Sequence, residues 1–193
     1  MSEVCPHPQA IKEKRQGEVI AQTLENARDK KIFKAITGEA SRNELFQIAG
    51  LNDLQIGIEH SGSFLFGVVT FGVHCTGYVE GHNGLKIWAP RRARTKQTYG
   101  GMLDNTVTGG MVMGDDPFAT LVKEASEEAP SPTKLVRERA KACGTVSYFH
   151  IQAKKDGELS GLLQPTCKYV YALKLPARKK PHAGTMKSRD LSP

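Results

Sequence analysis

The stretch "GGMVMGDDPFATLVKEASEEAP", residues 109–130, has three glutamates within five positions near its end: Glu124, Glu127 and Glu128. On a helix of about 100° per residue, Glu127 lies about 60° to one side of Glu124 and Glu128 about 40° to the other. Like charges at this spacing destabilise a helix, and more so if they are partly buried. Hard divalent cations such as Mg²⁺ take carboxylate ligands. The pattern therefore indicates either a solvated acidic face or a group of metal ligands.

The same stretch carries the signals for a helix around these glutamates. Asp115 and Asp116 precede Pro117, and this is typical of a helix start, because acidic side chains favour the positive end of the helix dipole. The face expected to point inward consists of Phe118, Leu121, Val122 and Ala125. Pro130 ends the pattern, because the residue before a proline is disfavoured in the helical region.

The rest of the chain alternates between helical and strand patterns. Apolar residues recur at helical spacing over residues 8–36. Strands are predicted over 61–79, 85–92, 144–153 and 168–176, the first two as an antiparallel hairpin around a turn at 81–84, and a further helix over 131–143. This order predicts a mixed α/β fold. We expect an N-terminal helical extension over residues 1–60, a central domain over 61–176, and a basic flexible tail over 177–193.

Composition and charge narrow the functional classes. The chain has 193 residues and a net charge of +7, of which residues 177–193 supply +4. A basic chain could bind nucleic acid, but basic and aromatic residues are not interleaved and no helix-turn-helix or zinc-finger pattern occurs. The four cysteines show no metal-ligand spacing. No apolar run is long enough to span a bilayer. We expect a soluble cytoplasmic protein, with an organelle left open, for which nucleic acid is not the expected partner.

Basic residues are densest, outside the tail, in the segment that follows the second predicted strand. They are Arg91, Arg92, Arg94 and Lys96. Arginine offers bidentate contacts to phosphate, so this cluster is a candidate phosphate-binding group, with a solvated loop as the alternative. Asp104 and Asn105, further along the same segment, are interpreted either as turn formers or as site residues.

The spacing of residues 109–128 resembles the Nudix box, G-x5-E-x7-R-E-U-x-E-E-x-G-U, in which U is a bulky aliphatic residue. Counted from Gly109, the acid at Asp115 and the "KEASEE" run fall at the expected positions. The departures are Asp115 for Glu, Lys123 for Arg, Ala125 for the aliphatic residue, and Ala129-Pro130 for x-Gly.

The flanking segments resemble one branch of the Nudix superfamily, the Nudix domain associated with thiamine pyrophosphokinase. They are "FGVHCTGYV" (71–79), "KIWAPRRARTKQTYGGMLDNTVTGG" (86–110), "PFATLVKEASEEA" (117–129) and "QPTCKYVYALKLP" (164–176). The resemblance extends from about Leu65 to Pro176, and members of this branch commonly carry a Lys and a small residue at the places of Lys123 and Ala125.

This resemblance implies a Nudix fold, a mixed sheet between helices, with Mg²⁺ as cofactor and Mn²⁺ as a substitute. Glu124, Glu127 and Glu128 are then the metal ligands, aided by the backbone carbonyl of Gly110 or its neighbour. Asp115 and Lys123 are expected to pair and brace the loop. The implied activity is hydrolysis of a small organic diphosphate, thiamine diphosphate or its oxidised or damaged analogues, to the monophosphate.

Three alternatives stay open at this point. Within the superfamily, the substrate could be a nucleoside diphosphate linked to another group. Members of this branch continue past the position of Pro176 with a further strand and helix that residues 177–193 do not resemble, so a shortened non-catalytic binding protein is the second alternative. A basic nucleic-acid-binding module is the third. The expected partner is a small-molecule diphosphate, with a homodimer left open.

Overall fold

The structure, a computed structural model, describes residues 8–33, 36, 44–49, 55–82, 84–95, 99–128, 130–151, 161–176 and 189–190. The side chain of Glu128 lies outside the described part. The chain forms two compact units. Unit 1 comprises residues 1–70, 112–114 and 149–165, and unit 2 comprises 71–111, 115–148 and 166–193. The boundaries expected after residues 60 and 176 remain predictions.

Unit 1 is built on one long helix and a small sheet. Its elements are α1 (Pro8–Asp29), β1 (Leu45–Gln47), β2 (Gly57–Glu59) and α2 (His60–Ser63), with β1 and β2 antiparallel. Leu24, Ile36 and Ile58 form a buried apolar cluster. Arg28 of α1 donates from Nε to the Ile36 carbonyl at 2.8 Å and forms an ion pair with Glu59. The amphipathic helix expected near the N-terminus is therefore present, and its apolar side contributes to this core.

Unit 2 is built around a five-stranded sheet and two helices. The elements that make up most of it are β3 (Thr70–Gly81), β4 (Gly84–Trp88), β5 (Arg91–Arg92), β6 (Val107–Gly110), α3 (Pro117–Glu128), α4 (Pro130–Arg139), β7 (Ala140–Ile151), β8 (Leu163–Lys174) and β9 (Arg189–Asp190). The sheet order is β4-β3-β8-β7, and β6 also pairs with β3. β5 pairs with β9 in a separate two-stranded ladder.

The sheet is mixed, because β3 has antiparallel and parallel neighbours. β4 pairs antiparallel with β3 from Gly77↔Trp88 to Gly81↔Gly84, which confirms the predicted hairpin. β6 pairs antiparallel with the first half of β3. A Cβ at Gly72 would meet Lys168, and one at Gly77 would meet Leu175, so β8 runs parallel to β3. The mixed α/β class predicted from the sequence is confirmed.

The core of unit 2 lies between the sheet and α3. Val73 and Cys75 of β3 and Leu121 and Ala125 of α3 are each fully buried. Alternate residues of a strand face one side, and residues about one helical turn apart face one side of a helix, so both elements supply matched apolar faces. Burial of these faces fixes α3 against the strand that precedes it.

Several predicted boundaries are wrong: the strand expected over 85–92 is divided into β4 and β5, the strands expected from 144 and 168 begin at Ala140 and Leu163, and two further differences concern helices. Residues 61–69 were expected to be strand, but they contain most of α2, a 3₁₀ turn over Phe64–Phe66 and a short connection before β3 begins at Thr70. Ser61, Gly62 and Ser63 are small and buried, and Gly67, with φ of +61°, ends the 3₁₀ turn in the left-handed region that glycine tolerates. The helix expected over 131–143 ends at Arg139, and Ala140 begins β7.

Among the helices of the described residues, none combines the length and the apolar character needed to cross a lipid bilayer.

Candidate active site

The start of α3 is fixed by a side-chain cap. Asp116 Oδ1 accepts hydrogen bonds from the backbone N–H of Phe118 at 2.8 Å and of Ala119 at 3.0 Å. These N–H groups have no partner within the helix, so the carboxylate satisfies them and also favours the positive end of the dipole. The helix start inferred from the Asp-Asp-Pro sequence is thus present, with the second aspartate as the cap.

The three glutamates occupy the last turn of this helix. Glu124 is half-buried and Glu127 is exposed, whereas the side chain of Glu128 lies outside the described part. Ala125, between them, is fully buried and holds this turn against the core. The small residue at position 125 allows close packing, and the neighbouring glutamates are thereby kept at the edge of the core.

Glu124 packs against the backbone of β6. A Cβ added at Gly109 would collide with the carboxyl group of Glu124, so the glycine leaves the space that this carboxylate fills. Gly110, whose carbonyl is the predicted backbone ligand, is the next residue of β6 and pairs with Gly72 of β3. A carboxylate lying against backbone carbonyl groups is a set of oxygen donors of the kind that Mg²⁺ takes.

The described side chains alone do not complete a metal centre. Among them, no three His, Cys, Asp or Glu side chains lie close enough together to hold a metal ion. The oxygen donors around Gly109 fit the chemistry of a hard cation, and the full ligand set of Glu124, Glu127 and Glu128 remains a prediction.

No ion pair between Asp115 and Lys123, the predicted brace, is found among the described residues. Both side chains are exposed, and no ion pair joins them. Asp115 precedes the capping residue and Lys123 lies on the solvent side of α3. Their pairing therefore stays a prediction.

The basic cluster is largely engaged within its own loop. Arg91 donates from Nη1 to the Gly101 carbonyl at 2.6 Å. Arg92 forms an ion pair with Asp104, with 2.6 Å between Nη1 and Oδ2. Arg94 is exposed, and Lys96 lies outside the described residues. These contacts fold the loop, so the role of the four residues in substrate binding stays a prediction.

Sequence reasoning overlooked a lysine that the structure brings to the end of the sheet where Gly109 lies. Lys168 lies within β8, half-buried, and its ammonium occupies the space over Gly72 of β3. A Cβ at Gly72 would collide with both Lys168 Nζ and the carbonyl oxygen of Gly109. The sequence does hold a signal, because Lys168 is the one charged residue in the run "QPTCKYVYAL". A charged side chain is rarely buried in a strand unless it has a role.

Lys168, His74 and Glu124 form one electrostatic group. Burial lowers the pKa of Lys168, and the nearby Cys167 and Glu124 partly oppose that shift. Burial, followed by the charge of Lys168, lowers the pKa of His74, while Asp104 opposes it. His74 and Gly72 share one face of β3, because residues two apart on a strand point the same way. Lys168 is thus the cation that interacts electrostatically both with the His74 imidazole and with the Glu124 carboxylate.

A mixed sheet with a glutamate-bearing helix packed against it defines a mixed α/β protein of the Nudix fold. No protein-family model matches the chain. The crystal structure of DR0079 from Deinococcus radiodurans superposes with a TM-score of 0.50 at 20% identity and covers 77% of this chain and 83% of that one. At this identity the likeness concerns the fold alone.

Two curated relatives extend the comparison to sequence. The chain is 33% identical over 158 residues to the uncharacterized protein YJR142W of Saccharomyces cerevisiae, covering 78% of this chain and 46% of that protein. It is 35% identical over 134 residues to Nudix hydrolase 20, chloroplastic, of Arabidopsis thaliana, covering 68% of this chain and 34% of that protein. The chain therefore spans less than half the length of either relative. The similarity to Nudix hydrolase 20 supports a relationship of this chain to the Nudix hydrolase family.

Proposed function

We propose that this chain is a Mg²⁺-dependent Nudix hydrolase that cleaves the diphosphate linkage of a small organic diphosphate and leaves a monophosphate. The observation that carries the proposal is the Glu124 carboxylate packed against Gly109, at the strand end that begins the G-x5-acid-x7-KE-x-x-EE pattern. Gly109 directly precedes Gly110, the predicted carbonyl ligand, so the contact of Glu124 with Gly109 supports a common site for the two predicted ligands. The sequence similarity to Nudix hydrolase 20 supports the same reaction class.

The chain's own residues have distinct roles in this proposal. Glu124, Glu127 and Glu128, with the Gly110 carbonyl, would hold the divalent cation, Mg²⁺ or Mn²⁺ in its place. The cation, when bound, supplies neutralisation of diphosphate charge and activation of water. Ala125 and the cap at Asp116 keep the helix in place against the sheet. A rigid helix is suited to this role, because ligands misplaced by even an ångström bind metal and substrate less well.

For the substrate, we propose thiamine diphosphate or its oxidised or damaged analogues. The support is the sequence resemblance of four segments, residues 71–79, 86–110, 117–129 and 164–176, to the Nudix domain associated with thiamine pyrophosphokinase. A nucleoside diphosphate linked to another group is the alternative within the same reaction class. We further propose that the protein acts in the cytoplasm on a free small molecule.

The test is a matched comparison of two glutamate variants. Wild type, Glu127→Gln and Glu138→Gln are incubated with Mg²⁺ and thiamine diphosphate, its oxo analogue or ADP-ribose, and monophosphate formation is followed. Glu138 is a suitable control, because it is exposed on α4 and pairs only with Lys134, at 3.9 Å within the same helix. Circular dichroism and the melting temperature of each protein establish that all three are folded.

We expect turnover by wild type and Glu138→Gln and a collapse in Glu127→Gln, with the thiamine compounds turned over in preference to ADP-ribose. Preference for ADP-ribose would keep the hydrolase and reject the substrate. No preference for the oxo analogue over thiamine diphosphate in a competition assay would reject selectivity for damaged forms. Absence of turnover by folded wild type would reject the enzyme and favour a non-catalytic binding protein.

A further inference from the structure

We propose that Lys168 is a substrate-binding residue whose ammonium contacts a non-bridging phosphate oxygen of the diphosphate. The inference rests on the proposed function for the identity of its ligand. It adds a residue from β8 to a site otherwise assigned to β6, α3 and the basic loop. The lysine would bind the substrate directly, whereas the glutamates would act through the cation.

The position of the ammonium carries the proposal. Lys168 Nζ lies over the bare backbone of Gly72, on the side where the Gly109 carbonyl oxygen also approaches. Gly109 in turn borders the Glu124 carboxylate. Gly72 thus leaves room for the Lys168 ammonium and Gly109 for the Glu124 carboxylate, and the two charged groups lie close enough to interact electrostatically. Larger side chains at either glycine would close the corresponding space.

The state of the ammonium supports a ligand. Lys168 is half-buried, and the structure gives its ammonium no hydrogen bond or ion pair among the described residues. In the described part, the side-chain polar atoms that are both buried and without a hydrogen bond are Trp88 Nε1, Arg92 Nε and Thr133 Oγ1. Lys168 Nζ is not among them, so this nitrogen is in contact with solvent. A partly desolvated ammonium that makes no hydrogen bond among the described residues, with only the nearby Glu124 charge to support it, favours a further anion from outside the chain.

The chemistry of this group suits a phosphate oxygen. A lysine ammonium is a compact charge with three donors and binds phosphate as a point charge, whereas arginine adds bidentate contacts to carboxylate or phosphate. Arg91 and Arg92 each engage Nη1 within their own loop, with the Gly101 carbonyl and with Asp104. Lys168 is therefore a cation, additional to the basic loop, that is placed to receive a phosphate oxygen at this end of the sheet.

The experiment measures pyrophosphate binding without turnover. Inorganic pyrophosphate is titrated calorimetrically into wild type, Lys168→Met and Lys174→Met in metal-free buffer at one ionic strength. Lys174 is the matched control, because it lies on the same strand, is exposed and pairs with Glu80. Methionine keeps the length and apolar stem of lysine. Lys168→Gln, with a polar end, serves as the second variant if Lys168→Met does not fold.

We expect wild type and Lys174→Met to bind pyrophosphate alike and the Lys168 variants to bind at least about tenfold more weakly, as for loss of one charge-assisted hydrogen bond. In steady state the same substitutions should raise KM more than they lower kcat. Equal binding by wild type and folded Lys168 variants, or no binding by wild type, would overturn the proposal. Retained pyrophosphate binding with no hydrolysis of any diphosphate would instead reject the proposed function and leave the phosphate site standing.

Discussion

His74 is a half-buried residue of β3 whose pKa is set by its surroundings. It lies on β3 opposite Thr108 of β6 and shares a face with Gly72. Burial is the main cause of its lowered pKa, and the positive charge of Lys168 adds to it, with Asp104 acting in the opposite direction. The neutral imidazole is therefore the favoured form in the folded protein at neutral pH.

This shift predicts a pH dependence of stability. Because the folded pKa of His74 lies below 6.5, the unfolded chain binds a proton that the folded chain does not as the pH falls through that value. The free energy of unfolding should therefore fall with decreasing pH below about 6.5, down to the folded pKa. In His74→Gln this part of the slope should disappear. Urea unfolding of both proteins at several pH values measures it, and identical slopes would contradict the account.

At the scale of one element, α3 shows what each of the two aspartates that precede it does. Asp116 accepts two backbone hydrogen bonds, whereas Asp115 is exposed and makes no ion pair with Lys123 among the described residues. The two adjacent aspartates carry the same charge, but only Asp116 caps the helix.

Replacement of these aspartates should separate capping from charge. Asp116→Ala leaves two helix N–H groups without their acceptor, so it should lower the free energy of unfolding by about 1 kcal/mol, within the range of about 0.5–2 for lost caps. Asp115→Ala should change it by no more than about 0.5 kcal/mol, as is usual at the surface. Denaturant unfolding of the two variants decides this. A larger loss for Asp115→Ala would show that the brace with Lys123 does form.

The elements also show how far sequence reasoning reaches. The start of α3 and the β3–β4 hairpin were predicted, because capping residues and turn glycines are local signals. The strand prediction for residues 61–69 was wrong. Aromatic and β-branched residues favour a strand there, but the chain forms helical turns that bury its small residues. Lys168 was overlooked because its position over Gly72 depends on strand pairing, which no local pattern specifies.

At the scale of the whole molecule, the described cysteines differ in their burial and therefore in their access to solvent. Cys75, Cys143 and Cys167 are free thiols. Cys75 is fully buried in the core of unit 2, and burial, followed by the nearby Cys143, raises its pKa to about 12. Cys143 is exposed on β7. Since the thiolate is the reactive form, these two residues should differ strongly in reactivity.

Alkylation should therefore distinguish the folded molecule from its unfolded state. In native protein treated with iodoacetamide, Cys143 should be modified readily, and Cys75 only as the core of unit 2 opens. Peptide mass spectrometry gives the extent of modification at each position over time, and Cys143→Ser should remove the modification at that position alone. Modification of Cys75 at the rate of Cys143 in folded protein would contradict the packing of this core.

The whole account depends on a divalent cation held by the helix that also forms the core of unit 2. The most direct measurement is the initial rate of monophosphate formation as Mg²⁺ is raised from a chelated baseline, in wild type and in Glu124→Gln. We predict that the wild-type rate rises with Mg²⁺ and saturates, and that Glu124→Gln loses at least about 10- to 100-fold, because even residues that only support metal ligands cost that much. A rate that is independent of Mg²⁺, or unchanged in folded Glu124→Gln, would contradict the account.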